Sequence, residues 1–126
     1  TISRYIEGLA LMSDGGTHRA SFQQLSRIND ERGTRRVYRQ LTRSPVDTHV
    51  YGVPDWDGAA EFDGTVHEGQ SCEYRDSWFV TFVPTDHDQS HAALVALETE
   101  PRVWNGFWTF DPEEVIEIDA YIEQGL

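Results

Sequence analysis

The side chains most able to do chemistry in this chain are five histidines and one cysteine. The histidines are His18, His49, His67, His87 and His91. His87 and His91 lie four residues apart, and the nearby Asp86 and Asp88 add carboxylates that could ligate a cation. They flank a predicted turn between strands, however, and do not share one face of a helix. We therefore favour a solvated acidic loop here and predict no metal site.

Cys72 is the single cysteine, so it can form neither an internal disulfide nor a CxxC zinc site. Its neighbours Glu68, Glu73 and Asp76 disfavour the thiolate that a nucleophile needs. The sequence also contains no GxSxG elbow, no P-loop and no GxGxxG turn. We therefore expect a protein that is not an enzyme and that has no cofactor.

Two other clusters could bind a ligand. In the segment DERGT, Arg32 and Thr34 could hold an anion near a helix start, although an ordinary capped helix entry is the favoured interpretation. In VWNGFWTF, Trp104 and Trp108 share one face of a strand and Phe107 takes the other. We expect these aromatic residues to lie mostly in the core, with room for a pocket where one of them faces a cavity.

The charge of the chain is its strongest compositional signal. The formal net charge is -12, from 22 acidic and 10 basic residues, and every basic residue is an arginine. Short carboxylates hold hydrated cations, and concentrated salt screens their mutual repulsion. The composition therefore favours a haloarchaeal protein, and the alternative is an ordinary acidic protein that lacks lysine by chance.

The charge is unevenly distributed along the chain. Residues 1–43 contain eight arginines and four acids, a balance of +4, and residues 44–126 contain two arginines and eighteen acids, a balance of -16. The basic part could contact nucleic acid. We favour the alternative that four arginines lie near the end of a helix and oppose its dipole, namely Arg35, Arg36, Arg39 and Arg43.

The spacing of apolar residues predicts the elements that position these side chains. They are helices over 2–13, 17–28 and 29–43, a strand over 46–54, a long acidic loop over 55–74, and strands over 77–83, 91–98 and 103–110. The second segment is ambiguous, but Phe22, Leu25 and Ile28 recur every three residues, which favours a helix. Asp111 and Pro112 begin a closing helix.

These elements predict an α+β fold. We expect an antiparallel sheet of about four strands, one early strand plus a three-strand meander, with helices packed on it. The length suits a single domain over residues 1–126. Because the chain begins at Thr1 inside a predicted helix, we expect it to be part of a longer protein.

Several segments, taken in order, resemble the haloarchaeal form of the DICT sensory domain, a module named after diguanylate cyclases and two-component systems. The matching segments are SRYIEGLA, FQQLSRINDERGTRRVY, HVYGVP, SWFVTFVP, HAALVALET and WNGFWTFDPEEVIEIDAYI. They cover most of the chain except the loop near residues 55–75. No segment has a mechanism attached to it, so the resemblance is a pattern and not a catalytic fingerprint.

The resemblance implies a sensory and regulatory role in the cytoplasm. The partners it implies are signalling domains of the kinase, GAF or response-regulator type, and a small-molecule ligand is also compatible with it. Trp78, Glu98 and Trp108 match positions of the pattern, and together with Trp104 and Arg32 they are the candidate ligand-binding residues. No membrane contact is expected, and nucleic acid is disfavoured.

The alternative function is a docking or dimerisation module without a ligand. Its expected sign is an exposed apolar face on the helix over 2–13. A nucleic-acid contact through residues 27–43 is a third and weaker hypothesis.

If the acidic composition is an adaptation to salt, removing salt should unfold the protein because the carboxylates lose their screening cations. We expect the midpoint of thermal unfolding to rise steeply with potassium chloride concentration, measured by circular dichroism. A midpoint that does not change with potassium chloride would contradict the halophilic interpretation.

Overall fold

The computed structural model describes residues 2–24, 32–53, 62, 64–68, 77–101 and 103–125. The elements in chain order are α1 (Ile2–Met12), β1 (Gly16–Gln24), α2 (Arg32–Thr42), β2 (Val46–Val53), β3 (Thr65–Glu68), β4 (Ser77–Pro84), β5 (Ala92–Glu100), β6 (Val103–Thr109) and α3 (Pro112–Gly125). The prediction of an α+β fold is confirmed. None of the described helices is both long enough and apolar enough to cross a membrane.

The strands form one six-stranded sheet in the order β3-β2-β1-β4-β5-β6. β1 and β2 are parallel and are connected through α2, and β3 continues the parallel half beside β2. The remaining neighbours, β1 with β4, β4 with β5 and β5 with β6, are antiparallel. The predicted meander is therefore confirmed, and the prediction of an antiparallel sheet of about four strands is matched only in part, because the sheet is mixed and has two further strands.

The first missed strand is β1, which we predicted as the helix over 17–28. β1 pairs with β2 on one side and with β4 on the other, so it lies at the centre of the sheet. Its alternating residues face opposite sides, and both sides bury polar side chains such as His18 and Arg19. A strand is normally identified by apolar residues that alternate with polar ones, and β1 lacks this pattern because polar residues occupy buried positions on both faces. Residues 25–28 of the predicted helix lie outside the described residues.

The second missed strand is β3, which falls inside the predicted loop over 55–74. It has only four residues, and all of them are at least partly exposed. A strand this short, with no run of apolar residues, gives little periodic signal. Residues 55–61, 63 and 69–74 of the predicted loop lie outside the described residues.

Helices cover both faces of the sheet. On the first, which we call the α1/α2 face, the core is formed by Ile6, Ala10, Tyr38, Leu41, Val50, Val80 and Phe82, among others. On the second, the α3 face, Ile122 of α3 packs with Tyr51 and Phe79. The α3 helix begins as predicted, because the Asp111 carboxylate accepts a hydrogen bond from the Glu113 N–H at 3.0 Å.

A chain of polar side chains crosses the core of the α1/α2 face. The Tyr38 hydroxyl lies 3.0 Å from His18 Nε2 and is also hydrogen-bonded to Glu7. A hydroxyl can both donate and accept, so Tyr38 bridges the Glu7 carboxyl group and the His18 ring. The Arg4 guanidinium donates one hydrogen bond to the Glu7 carboxyl group at 3.2 Å and another to the Thr34 hydroxyl at 2.9 Å. The chain therefore ties α1 to α2 and both helices to β1.

Burial sets the charge state of this chain. It lowers the pKa of His18 to about 3, while a backbone hydrogen bond with Thr81 acts in the opposite direction. Burial also raises the pKa of Tyr38, and the Glu7 carboxylate adds to this effect. Both rings are therefore neutral at pH 7, which allows them to remain in an apolar core.

The low pKa of His18 predicts a loss of stability in acid. Its folded pKa lies below its unfolded value of 6.5, so its contribution is complete above about pH 6.5 and is lost as the pH falls towards 3. The His18→Gln variant keeps a polar partner for Tyr38 but does not titrate. As the pH is lowered, we expect the free energy of unfolding of this variant to fall less steeply than that of the wild type. The two slopes should differ by up to about 1.4 kcal/mol per pH unit.

The measurement is urea unfolding in molar potassium chloride, followed by tryptophan fluorescence, across this pH range. His87→Gln is the control, because it removes an exposed histidine from the turn after β4 and should keep the slope of the wild type. Equal slopes for the wild type and His18→Gln would contradict the assignment of the acid sensitivity to His18.

Candidate functional site

Exposed apolar side chains concentrate at one edge of the sheet. We call this set the aromatic edge, and it consists of Trp78, Leu97, Val103, Phe107, Trp108 and Phe110. β6 is the last strand of the sheet and contributes most of these residues. Exposed large apolar side chains that concentrate at one edge make that edge a candidate binding surface.

The α1/α2 face of this edge has a low floor between two indole rings. Trp78 is directly opposite Ala96, which is opposite Gly106, so the three form one row across β4, β5 and β6. Trp108 lies in the next row, opposite Leu94. Strands two apart are separated by roughly 10 Å. We call this arrangement of Trp78, Ala96, Gly106 and Trp108 the aromatic platform.

The floor of the aromatic platform requires glycine. A Cβ atom on Gly106 would lie 2.9 Å from the Val95 carbonyl oxygen and 3.1 Å from the Ala96 Cβ. Contacts this short would force the neighbouring strand to move. Since Trp78 is 37% exposed and Trp108 is 57% exposed, both indoles are available beside this floor.

The predicted ligand-binding residues are thus only partly brought together. Trp78 and Trp108 share the aromatic platform. The backbones of Glu98 and Trp104 are opposite each other on β5 and β6, but their side chains lie outside the described residues. Arg32 begins α2, on another part of the fold, and its side chain is also outside the described residues.

The structure bears on two expectations from the sequence. We expected the aromatic residues of β6 to lie mostly in the core, but Phe107 and Trp108 are about half exposed, because β6 is an edge strand beyond the helices. For the anion site considered at Arg32 and Thr34, the structure adds that the Thr34 hydroxyl accepts a hydrogen bond from Arg4 of α1. Thr34 therefore helps to hold α1 against α2.

A second group of functional side chains lies on the α3 face, at the other half of the sheet. The Asp47 carboxylate is 2.9 Å from His49 Nε2, and His49 Nδ1 is 2.9 Å from His67 Nε2. The two imidazole planes differ by only 22° and their centroids are 5.2 Å apart, so the rings meet end to end. Asp47 accepts from His49 Nε2–H, and in the second contact one imidazole ring donates and the other accepts.

This chain continues into α3 through a tyrosine and an arginine. The Tyr51 ring is stacked on His67 with centroids 4.2 Å apart. The Tyr51 hydroxyl accepts from Arg19 Nη1 at 2.8 Å, and Arg19 Nε donates to the Asp119 carboxylate at 2.8 Å. We call the set from Asp47 to Asp119 the histidine–arginine network, and it connects β3, β2, β1 and α3.

The environment fixes the charges of this network. Burial lowers the pKa of His67, and electrostatic interactions with His49 and Arg19 act in the same direction, while the interaction with Asp47 opposes them. Burial opposes the charge of Arg19, but its hydrogen bond with Tyr51 and the Asp119 carboxylate raise the pKa of Arg19 above the usual value. The network therefore holds a neutral His67 beside a permanently charged Arg19.

Metal binding has no support in the described part of the chain. Its His, Cys, Asp and Glu side chains form no group of three or more that could hold an ion. In the turn after β4, the Asp86 carboxylate accepts from the Asp88 N–H at 2.9 Å, and the His87 and His91 rings meet at 70°. These residues organise a turn.

Part of the histidine–arginine network could be identified in the sequence. Asp47, His49 and Tyr51 alternate along VDTHVY, so a strand places them on one face. Their partners His67 and Arg19 come from segments that we predicted as a loop and a helix. The network was therefore not predicted, because two of its three strands, β1 and β3, were not predicted as strands.

Compared with known proteins, the chain matches no family model, no curated protein and no solved structure. The resemblance to DICT domains remains a prediction from the sequence segments.

The pairing of Arg19 with Asp119 should contribute strongly to stability. The Asp119 side chain is 14% exposed, whereas that of Glu123, 3.7 Å from the same guanidinium, is 65% exposed. Asp119→Ala leaves a buried guanidinium without its main counter-ion, and we expect a loss of about 3 kcal/mol in the free energy of unfolding. The matched variant Glu123→Ala should lose less than about 1 kcal/mol.

Urea unfolding in molar potassium chloride measures both values. Similar losses for the two variants would show that the buried contact is not the one that anchors α3.

Proposed function

We propose that this domain is a non-enzymatic sensory and regulatory module that binds a small planar ligand on the aromatic platform. In this proposal the domain acts in the cytoplasm and relays ligand binding to a partner signalling domain. The observation that carries the proposal is the exposure of Trp78 and Trp108 on either side of the floor formed by Ala96 and Gly106.

The shape of the aromatic platform favours a flat ligand. Gly106 is exposed and has no side chain, whereas Ala96 is only 8% exposed, so a ring system would lie mainly over Gly106 beside Trp108. Contacts between aromatic rings contribute about 0.5–1.5 kcal/mol each beyond the burial of apolar area. Small side chains between two large ones therefore suit a fused heteroaromatic compound better than a bulky or branched one.

Charge favours a ligand without a negative charge. The strand β6 and its continuation to Phe110 contain no charged residue, and the whole chain carries a net charge of -12. An anionic ligand would meet the repulsion of the surrounding carboxylates and find no cation on β6. We therefore propose a neutral heteroaromatic compound.

Two contacts connect the aromatic platform to helices that could relay binding. The Tyr5 ring of α1 meets the Phe110 ring edge to face, with centroids 5.9 Å apart. Phe110 is followed directly by Asp111, which caps α3. Trp108 lies two residues before Phe110 in the chain. A ligand that repositions Trp108 could therefore shift Phe110, which contacts α1 and precedes the first turn of α3.

Saturation-transfer NMR in molar potassium chloride, with riboflavin and adenosine as neutral planar probes, tests the proposal. We expect saturation transfer to the ring protons of at least one probe, and a loss of most of that signal in Trp108→Ala and in Trp78→Ala. Tyr121→Ala is the control, because it removes an aromatic side chain that is 72% exposed on α3. Its signal should equal that of the wild type.

Absence of transfer to both probes, or equal transfer in Trp108→Ala and the wild type, would contradict the proposal. Circular dichroism of each variant establishes that it is folded before the comparison is made.

Protein docking without a ligand is the second candidate function. The sign that we expected, an exposed apolar face on α1, is present only in part: Ile6 and Ala10 are fully buried, whereas Tyr5 is 56% exposed and Met12 is 87% exposed. The aromatic edge also supplies an exposed apolar surface. Nucleic acid ranks below both, since the exposed Arg35, Arg36 and Arg39 lie on one helix of a strongly acidic chain.

A further inference from the structure

The outer edge of β6 carries a second inference, which does not depend on the ligand. We propose that β6 pairs antiparallel with β6 of a second copy of this chain, so that two sheets join into one across a two-fold axis. The argument rests on the charge, the length and the exposure of this strand.

The two edges of the sheet differ in how well they are protected from pairing. Proteins usually protect an edge strand with charged side chains, proline or short length, because its outer backbone groups can pair with another strand. β3, at one edge, has four residues and ends in the exposed Glu68. β6, at the other edge, has seven residues and contains no charged residue and no proline. Within the described part of the chain, β6 therefore lacks the charge, the proline and the short length that protect an edge strand.

Exposed apolar side chains flank β6 on both faces of the sheet. Trp108 is 57% exposed on the α1/α2 face, and Phe107 is 49% exposed on the α3 face beside Leu97, which is 53% exposed. A ligand on the aromatic platform would cover only the first of these faces. Addition of a strand at the edge would bring side chains of a partner over both faces at once.

Charge and symmetry favour a second copy as the partner. A basic protein would be attracted to the carboxylates of this chain, but β6 is a stretch without them. A second copy is equally acidic, and the uncharged β6 is where two such copies can approach with least repulsion. Antiparallel pairing of a strand with its own copy is also compatible with two-fold symmetry, the commonest symmetry of homodimers.

Sedimentation equilibrium of the wild-type chain in molar potassium chloride tests this proposal. We expect a reversible monomer–dimer equilibrium in the micromolar range. Phe107→Arg places a charge at the pairing edge and should weaken the dimer by more than about tenfold. The matched control is Met12→Arg, which makes a similar change at a side chain that is 87% exposed at the end of α1. This variant should dimerise like the wild type.

Asn105→Arg provides a second test on β6, because Asn105 is exposed and its replacement removes no apolar contact from the core. It should also weaken the dimer by more than about tenfold. Hydrogen exchange then locates the interface: amides of β6 should gain protection as the protein concentration rises, and amides of β3 should not. A wild type that stays monomeric, or folded β6 variants that dimerise as strongly as the wild type, would overturn the proposal.

Discussion

Two adjacent side chains of β1 are buried on opposite faces of the sheet, and the rest of the fold is arranged around them. His18 lies in the core under α1 and α2, where Tyr38 supplies its hydrogen-bonding partner. Arg19 lies on the α3 face, where Tyr51 and Asp119 surround its guanidinium. A shift of β1 by one residue would exchange the two side chains and place a charge in the apolar core. The pairing of these polar groups therefore fixes the register of the central strand.

The same burial explains which parts of the fold could be predicted from the sequence. The meander and the start of α3 were predictable, because their apolar alternation and the Asp111-Pro112 cap are local signals. β1 was not, because its buried positions hold His18 and Arg19, whose partners are distant in sequence. The same holds for the candidate site. Trp78 and Trp108 could be predicted because the strands that carry them could be predicted. Their exposure could not, because it depends on which parts of the sheet the helices cover.

The two halves of the sheet use opposite chemistry. On the parallel half, the histidine–arginine network joins β3, β2 and β1 to α3 through charged and polar groups. On the antiparallel half, β6 carries only uncharged side chains and exposes aromatic rings. Polar groups with demanding geometry therefore hold the scaffold together, while the surface proposed for binding uses apolar contacts that remain effective when salt screens charge.

The unequal edges of the sheet also limit the size of any assembly that it forms. A strand that pairs through an open edge leaves the opposite edge of each molecule facing outwards, and two equally adhesive edges would allow growth into a filament. Here the outward edge is β3, which is short and ends in a carboxylate at Glu68. Assembly through β6 therefore stops at two copies. Because only one edge of each sheet can pair, the chain can form a closed dimer but not a filament.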